Sequence, residues 1–360
     1  MRIKYIVHLL FLSVSFPLIS LGVDFLVPHK NFLNPKVIEQ KDFLKPEVIS
    51  IDIPGFPGAY NPALIEHFEG YLLFFRYDVP LEHIYKKTKF KYMSYIGFVY
   101  LDCDFKVDSE VKFLNLNNPY CEDPRVVRFG DKIVMFFNTI ERLDPTSRSM
   151  KMALIDPDTG EVEYVCKLPG KRKNLEKNWT PFVRNEGGKS SLFFVYDYQN
   201  LEVVELTKID SDWQILSTKT NPLFGPDYLD WKEKWGPYRG GAPLIEIDNE
   251  IFCFSHSCFI ETLNVWGTDR RNYYYNAGLF TLSSDFSTPL KLLPNPILYE
   301  GAYDSPRKRA PNKWVIYPTG VVYKPQTGKI YLSLGENDGK IRILEFDKDR
   351  LISQLTPFQK

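Results

Sequence analysis

The sequence carries no excess charge of either sign: 45 Lys and Arg residues balance 45 Asp and Glu residues. Electrostatics therefore give no case for nucleic acid or an anionic membrane surface as a partner. Histidine and cysteine are scarce, five of each, and none stands at a metal-ligand spacing such as HExxH or CxxC. A structural zinc site is excluded on that ground, and no metal is expected. The odd cysteine count (Cys103, Cys121, Cys166, Cys253, Cys258) leaves at least one thiol unpaired in a monomer, and spacing selects no partners. Helical periodicity is nearly absent, confined to a turn or two around residues 80–91.

Long apolar runs are missing too, with one exception. Residues 5–22 are mostly apolar and follow Arg2 and Lys4. Ser20 and Gly22 are small enough for a cleavage site, and His8 and Pro17 interrupt the run. Residues 1–22 thus read as a signal peptide or an uncleaved signal anchor. Either places the chain in the secretory pathway, the periplasm or outside the cell, with a membrane involved only through that anchor.

What is present is a repeat. "NPALIEHFEGYLLFFRYD", "EDPRVVRFGDKIVMFFNT", "WTPFVRNEGGKSSLFFVYDY", "GGAPLIEIDNEIFCFSHS" and "YPTGVVYKPQTGKIYLSLGEND" each hold a proline, an apolar strand, a turn and a second strand. Gly-Asp, Gly-Gly and Asp-Asn turns between β-branched and aromatic residues are hairpin signals. The prolines are Pro62, Pro124, Pro181, Pro243 and Pro318, so the steps are 62, 57, 62 and 75 residues. Copies at that spacing indicate a radial array, with room for about four short strands per blade. The expected fold is an all-β, five-bladed β-propeller over residues 58–360, with residues 23–57 as an extension packing on it. Aromatics at 15% suit such a core, and some of them suit a sugar site.

In a propeller the innermost strands converge on the axis. The residues before each proline and after each second strand should then meet in one pocket, where small polar ligands bind. Those residues are Asn61, Glu122, Asp123, Arg125, Asn178, Trp179, Arg239 and Tyr317, with Arg76, Asn138, Asp197, His256 and Asp338 at the strand ends. Asn178 also opens the sequon Asn178-Trp179-Thr180, but a residue expected inside a pocket makes a poor glycosylation site. Arg128 and Arg184 fall outside the motifs and read as solvated.

At these residues the chain resembles glycoside hydrolase family 130. The elements are "NP" with "LLFFR", "EDPR", "EKNWTPF", "FCFSHS", "YPTGVV" and "LSLGENDGKIRI", an ordered set from about Gly58 to Leu351. The family consists mainly of β-mannoside phosphorylases, and related mannosyltransferases share its fold. Inverting hydrolysis needs two carboxyls, an acid and a base. The arabinanase-like propellers supply the base as an Asp before the first-blade proline, whereas this chain has Asn61 there, and Asn cannot accept the proton at neutral pH. An anionic nucleophile needs no base. The resemblance implies inverting phosphorolysis, with Asp123 as general acid, inorganic phosphate as co-substrate and no cofactor. Arg76, Arg125, Arg239 and His256 are the expected phosphate ligands. Asn61, Glu122, Asn138, Asn178, Trp179, Asp197, Tyr317 and Asp338 are the expected sugar contacts, and Glu122 serves either as one of these or as an orienting group for Arg125. Two features differ from the family pattern: "GPYRGGAPL" before the fourth hairpin and "FSHSCF" within it. They leave open a glycosyltransferase, a hydrolase with Asp197, Asp304 or Glu336 as base, and a propeller that only binds glycans.

Overall fold

The computed structural model describes residues 44–81, 92–143, 146–170, 173–209, 212–223, 225–265, 268–306 and 311–359. The signal segment, most of the extension and residues 82–91 of the expected helical turn lie outside the described residues.

Strand β1 (Glu47–Ile51) opens the chain. Strands β2 (Tyr60–His67), β3 (Gly70–Pro80), β4 (Tyr92–Leu101) and β5 (Lys112–Phe113) form one antiparallel sheet in that order. The second sheet repeats the plan with β6 (Cys121–Phe129), β7 (Lys132–Leu143), β8 (Thr146–Ile155) and β9 (Val162–Lys167). The third does so with β10 (Thr180–Glu186), β11 (Lys189–Asp197), β12 (Glu202–Ile209) and β13 (Asp212–Thr220). Helix α1 (Pro226–Trp235) follows, and its Trp231 and Trp235 are buried. Then come β14 (Ile245–Ile247), β15 (Glu250–Val265), β16 (Thr268–Ser283) and β17 (Pro289–Leu292). The chain ends with β18 (Lys313–Lys324), β19 (Lys329–Glu336), β20 (Lys340–Asp347), the short helix α2 (Lys348–Ile352) and β21 (Thr356–Pro357). The strands after β13 do not separate into two sheets. Parallel pairing of Tyr273–Tyr275 with Lys313–Val315 joins them, with β1 along the edge of β20, into a single nine-stranded sheet.

The chain is all-β, as the patterning required. The first strands form a ring: β2 packs against β6 and β18, β6 against β10, and β14 against β18. Leu244 N donates to the Pro181 carbonyl at 3.1 Å and ties β10 to the entry of β14. The hydrophobic cores lie between neighbouring groups of strands. Leu72 and Phe74 face Ile133, Met135 and Phe137 of the second sheet, while Leu73 and Phe75 face Val322, Ile341 and Ile343. Successive side chains on a strand point to opposite faces, so a strand buried on both sides must be apolar throughout. That is why "YLLFF", "IVMFF" and "LFFV" do not alternate with polar residues.

Three of the proline-led strands carry a β-bulge at the proline. Pairing slips between Tyr60 and Ala63, between Glu122 and Arg125, and between Pro318 and Gly320. Proline cannot donate to a ladder and is accommodated at such irregularities, and a bulge re-aims the side chain beside it. Asn61 and Asp123 sit in the first two bulges with φ of 50° and 57°. Asn178 and Asp338 also have left-handed backbones. Asn and Asp tolerate that conformation better than other side-chain-bearing residues, which accounts for their recurrence at these places.

Candidate functional site

A polar cavity of about 170 Å³ opens at one end of the ring of first strands. Of the residues read from sequence, Asn61, Arg76, Glu122, Asp123, Asn178, Arg239, His256, Tyr317 and Asp338 line it. Residues up to 277 positions apart therefore meet at one place.

Asp123 is the centre of its charge network. Its Oδ1 accepts from Asn61 Nδ2 at 2.8 Å and from Arg76 Nη1 at 3.0 Å. Burial alone would raise its pKa, but the guanidiniums of Arg76 and Arg125, with the two hydrogen bonds, hold the carboxyl well below the usual carboxylate range. Asp123 is ionised at neutral pH. Arg76 is buried and donates to Asp78 (3.0 Å), Ser94 (3.1 Å) and Glu122 (2.8 Å) as well as to Asp123. Glu122 also binds Arg148, whose Nη1 donates to Asn138 Oδ1 at 2.8 Å. Arg76 thus clamps carboxylates, with four of its five donors given to protein groups.

Two other cations of the wall are less engaged. Arg239 and Lys177 line the wall, and neither side chain has a hydrogen-bond or ion-pair partner among the described residues. Lys177 is held below the usual lysine range, first by its protein surroundings and then by Arg148 and Arg239, against the opposing pull of Asp123 and Glu122. Lys313 pairs with Asp338 at 2.9 Å and lies 4.8 Å from the Tyr275 ring centre. Arg76, Arg148, Lys177, Arg239 and Lys313 outnumber Glu122, Asp123 and Asp338 on the wall. The excess favours an anion.

His256 does not add to that charge. Burial first, then Arg239 and Arg125, push its pKa well below the ordinary histidine value. Its Nδ1 lies 2.8 Å from the Gly240 carbonyl, which can only accept, so Nδ1 carries the proton. The free Nε2 is an acceptor, suited to a sugar hydroxyl and unsuited to a fully ionised phosphate.

Four expected residues are not on the wall. Arg125 is completely buried and gives its donors to protein groups. Asn138 lies behind the wall, where its Nδ2 donates to the Glu122 carbonyl and its Oδ1 holds Arg148. Trp179 is core: its ring stacks on Phe194 at 4.8 Å and 8°. Asp197 organises a turn, accepting from Gln199 N and Asn200 N at 2.8 and 3.0 Å. The alternative bases are also elsewhere. Glu336 is buried against Arg342 (2.7 Å) and Ser305 N (3.0 Å), and Asp304 is not among the lining residues. Arg148, Lys177, Tyr275 and Lys313 line the cavity and were missed. Lys177 adjoins Asn178 and could have been read from "EKNW". Arg148 and Tyr275 come from β8 and β16, strands outside the repeated hairpin's first pair, where the repeat gives no signal.

Residues 160–274 match the family model of beta-mannosyltransferases. Beta-mannosyltransferase 5 of Candida albicans is 27% identical over 209 residues, covering 45% of this chain and 32% of that protein. Beta-mannosyltransferase 2 of the same yeast is 28% identical over 97 residues, covering 26% and 14%. The chain therefore spans a third or less of the curated relatives it matches. Among solved structures, the beta-1,2-mannobiose phosphorylase of Listeria innocua superposes with a TM-score of 0.58 at 15% identity, covering 88% of this chain and 98% of that one. The mannose phosphorylase MPT-4 of Leishmania mexicana, in complex with phosphate, gives 0.55 at 13%, covering 89% and 94%. The GDP-Man-dependent mannosyltransferase MPT-1 of the same organism gives 0.56 at 14%, covering 86% and 92%. The chain thus has the fold that these mannoside phosphorylases and this mannosyltransferase share, as its resemblance to glycoside hydrolase family 130 implied, and its sequence is similar to beta-mannosyltransferases over residues 160–274.

Proposed function

We propose that this chain is an enzyme acting on β-mannosides, moving a mannosyl group with inversion between a phosphate oxygen and a sugar hydroxyl. The fold is read here as a five-bladed propeller, the nine-stranded sheet counting as two blades joined at Tyr273–Tyr275. The carrying observation is the make-up of one cavity wall. An ionised Asp123 stands on it with Asn61 in the place of a second carboxylate, and Arg239 and Lys177, which have no side-chain hydrogen-bond or ion-pair partner among the described residues, line the same wall. That arrangement has an amide where inverting hydrolysis would place its base, its other carboxylates Glu122 and Asp338 are held in ion pairs with Arg76, Arg148 and Lys313, and it offers a seat to an anion.

In the phosphorolytic direction a phosphate oxygen bonds to the anomeric carbon as the bond to the departing sugar oxygen breaks. That oxygen takes a proton relayed by a sugar hydroxyl from Asp123, whose carboxylate first accepts it from the incoming dihydrogen phosphate, and mannose 1-phosphate leaves. In the synthetic direction the donor's phosphate oxygen departs toward Arg239 and Lys177, and the acceptor hydroxyl gives its proton to the Asp123 carboxylate. The synthetic direction has specific support, because Asp123 begins ionised, and the family-model match points the same way. The partners would be a manno-oligosaccharide and a phosphate or phosphorylated mannosyl donor. The apolar run in residues 1–22 supports a secretory or exported location, which N-terminal sequencing of the mature protein tests.

The deciding assay supplies manno-oligosaccharides with and without inorganic phosphate, and separately with mannose 1-phosphate or a nucleotide-linked mannose. Phosphate-dependent release of mannose 1-phosphate, or chain extension from a donor, is the expected outcome. Asp123→Asn should abolish it while oligosaccharide binding persists. Release of free mannose at the same rate without phosphate would sink the reading.

A further inference from the structure

Arg125 enters the axis from β6, and its guanidinium is shared among other parts of the ring. Nε donates to the Gly241 carbonyl at 2.6 Å, and Nη1 to the Asp123 carbonyl at 3.1 Å. Nη2 donates to the Tyr317 hydroxyl at 2.7 Å, with the Gly240 carbonyl at 3.3 Å and Asn178 Oδ1 at 3.5 Å. The Tyr317 hydroxyl donates to Asn178 Oδ1 at 2.7 Å, and the Gly240 carbonyl also accepts from His256 Nδ1. One side chain therefore ties the backbone of Asp123 to cavity-wall groups contributed by residues 178, 240 and 317, and through Gly240 to His256.

The paired glycines exist to allow this. A Cβ on Gly240 would lie 1.7 Å from the Asn178 carbonyl oxygen, and one on Gly241 would lie 2.1 Å from the Phe254 carbonyl oxygen. The need is for close approach: bare backbone packs against the Asn178 and Phe254 carbonyls and brings two glycine carbonyls within reach of a buried guanidinium, beside its bonds to Asp123 and Tyr317. The "RGGAP" segment, which stood apart from the family pattern, thus answers to Arg125.

Arg125 also separates two cavities. Along β6, Asp123 lines the polar one, while Val126 and Val127 line a second of about 550 Å³ with Leu64, Phe182, Leu244 and Val322. Arg125 lies between them and is wholly shielded from solvent.

We propose that Arg125 is a positioning residue: its guanidinium closes the axis and holds Asn178, Tyr317 and the Gly240–His256 edge in register with Asp123, without contacting phosphate. A planar fork with five donors can bridge these groups, and a single ammonium cannot. A kinetic test rests on the function proposed above, and a spectroscopic one does not. In the wild-type protein, the Arg125 Nε–H resonance, assigned through bonds from its backbone, should resist hydrogen exchange and stay unmoved as inorganic phosphate is titrated to saturation. A shift on phosphate addition, or rapid exchange, overturns the proposal even if no variant folds. Arg125→Lys and Arg125→Met should each lose about 100-fold in kcat through misplacement of the wall. KM for the phosphate-bearing substrate should stay within about twofold of wild type, because no phosphate contact is lost. A lysine variant with the wild-type rate, or a loss lying wholly in phosphate KM, overturns it. If the wild-type enzyme turns over none of the substrates, the functional reading fails and the resonance alone decides this one.

Discussion

Asn61→Asp tests the electrostatic core of the site without any assumption about substrate. The substitution replaces the amide that donates to Asp123 Oδ1 at 2.8 Å with a second carboxylate. Two charge centres about 4 Å apart, at an effective dielectric of about 20, repel by about 4 kcal/mol. That corresponds to about three pKa units. Arg76 and Arg125, which already hold Asp123 below the usual carboxylate range, offset part of this, so three units is the upper bound of the shift. The folded pair should therefore keep a proton that the unfolded chain releases near the ordinary Asp value of about 3.9. Below that value both states hold the proton, and the variant suffers only from its lost hydrogen bond. As pH rises, the unfolded state sheds a proton that the folded pair retains. Folding then weakens by about 1.4 kcal/mol per pH unit until the pair ionises at or below neutrality. Urea unfolding should show the variant losing up to about 3 kcal/mol relative to wild type between about pH 4.5 and pH 7. Asn61→Ser, which adds no charge, should show a flat difference. A flat difference for the aspartate variant as well would refute the close contact of residue 61 with Asp123.

Trp179→Ala should destabilise the fold by about 3–5 kcal/mol, because the ring is buried against Phe194. Thermal unfolding checks this, and a stable variant that had lost sugar affinity would return Trp179 to the ligand site. Lys177→Met and Arg239→Met should each raise KM for the phosphate-bearing substrate about tenfold, the order expected for a charge-assisted hydrogen bond, with oligosaccharide KM little changed. Initial-rate kinetics decide it, and an unaltered phosphate KM in both would remove these cations from the role. Because Lys177 titrates below the usual lysine range, its charge is lost earlier as pH rises. Phosphate affinity measured by calorimetry should then decline before about pH 10, the ordinary lysine value. Affinity constant through that pH would count against Lys177 as the seat.

Much of the arrangement was legible because it follows from local chemistry repeated along the chain. A proline, an apolar run, a turn and a second apolar run make a hairpin wherever they occur, and five copies required a common plan. Asp123 and Asn61 could be placed on the same wall from the proline beside each, since each falls at the bulge of its own hairpin, in equivalent positions. Arg125 was assigned to phosphate because its charge was visible and its neighbours were not. Its partners include main-chain carbonyls 115 and 116 residues away and the Tyr317 hydroxyl 192 residues away. Trp179 sits one position from Asn178, just ahead of β10, and the left-handed backbone of Asn178 turns the chain there, so one lines the cavity and the other fills the core. Arg76 was correctly brought to the cavity, but three carboxylates and Ser94 take four of its five donors.

The sequence by itself determined the all-β architecture, the proline-led hairpins and the meeting of Asn61, Arg76, Asp123, Arg239, His256 and Tyr317, because period and turn chemistry are local properties. Tertiary structure alone decided which cations stay available, the tautomer of His256, the ionised state of Asp123 and the burial of Arg125. Those outcomes depend on distances between groups far apart in the chain and on how much water each retains, and no stretch of sequence encodes either quantity.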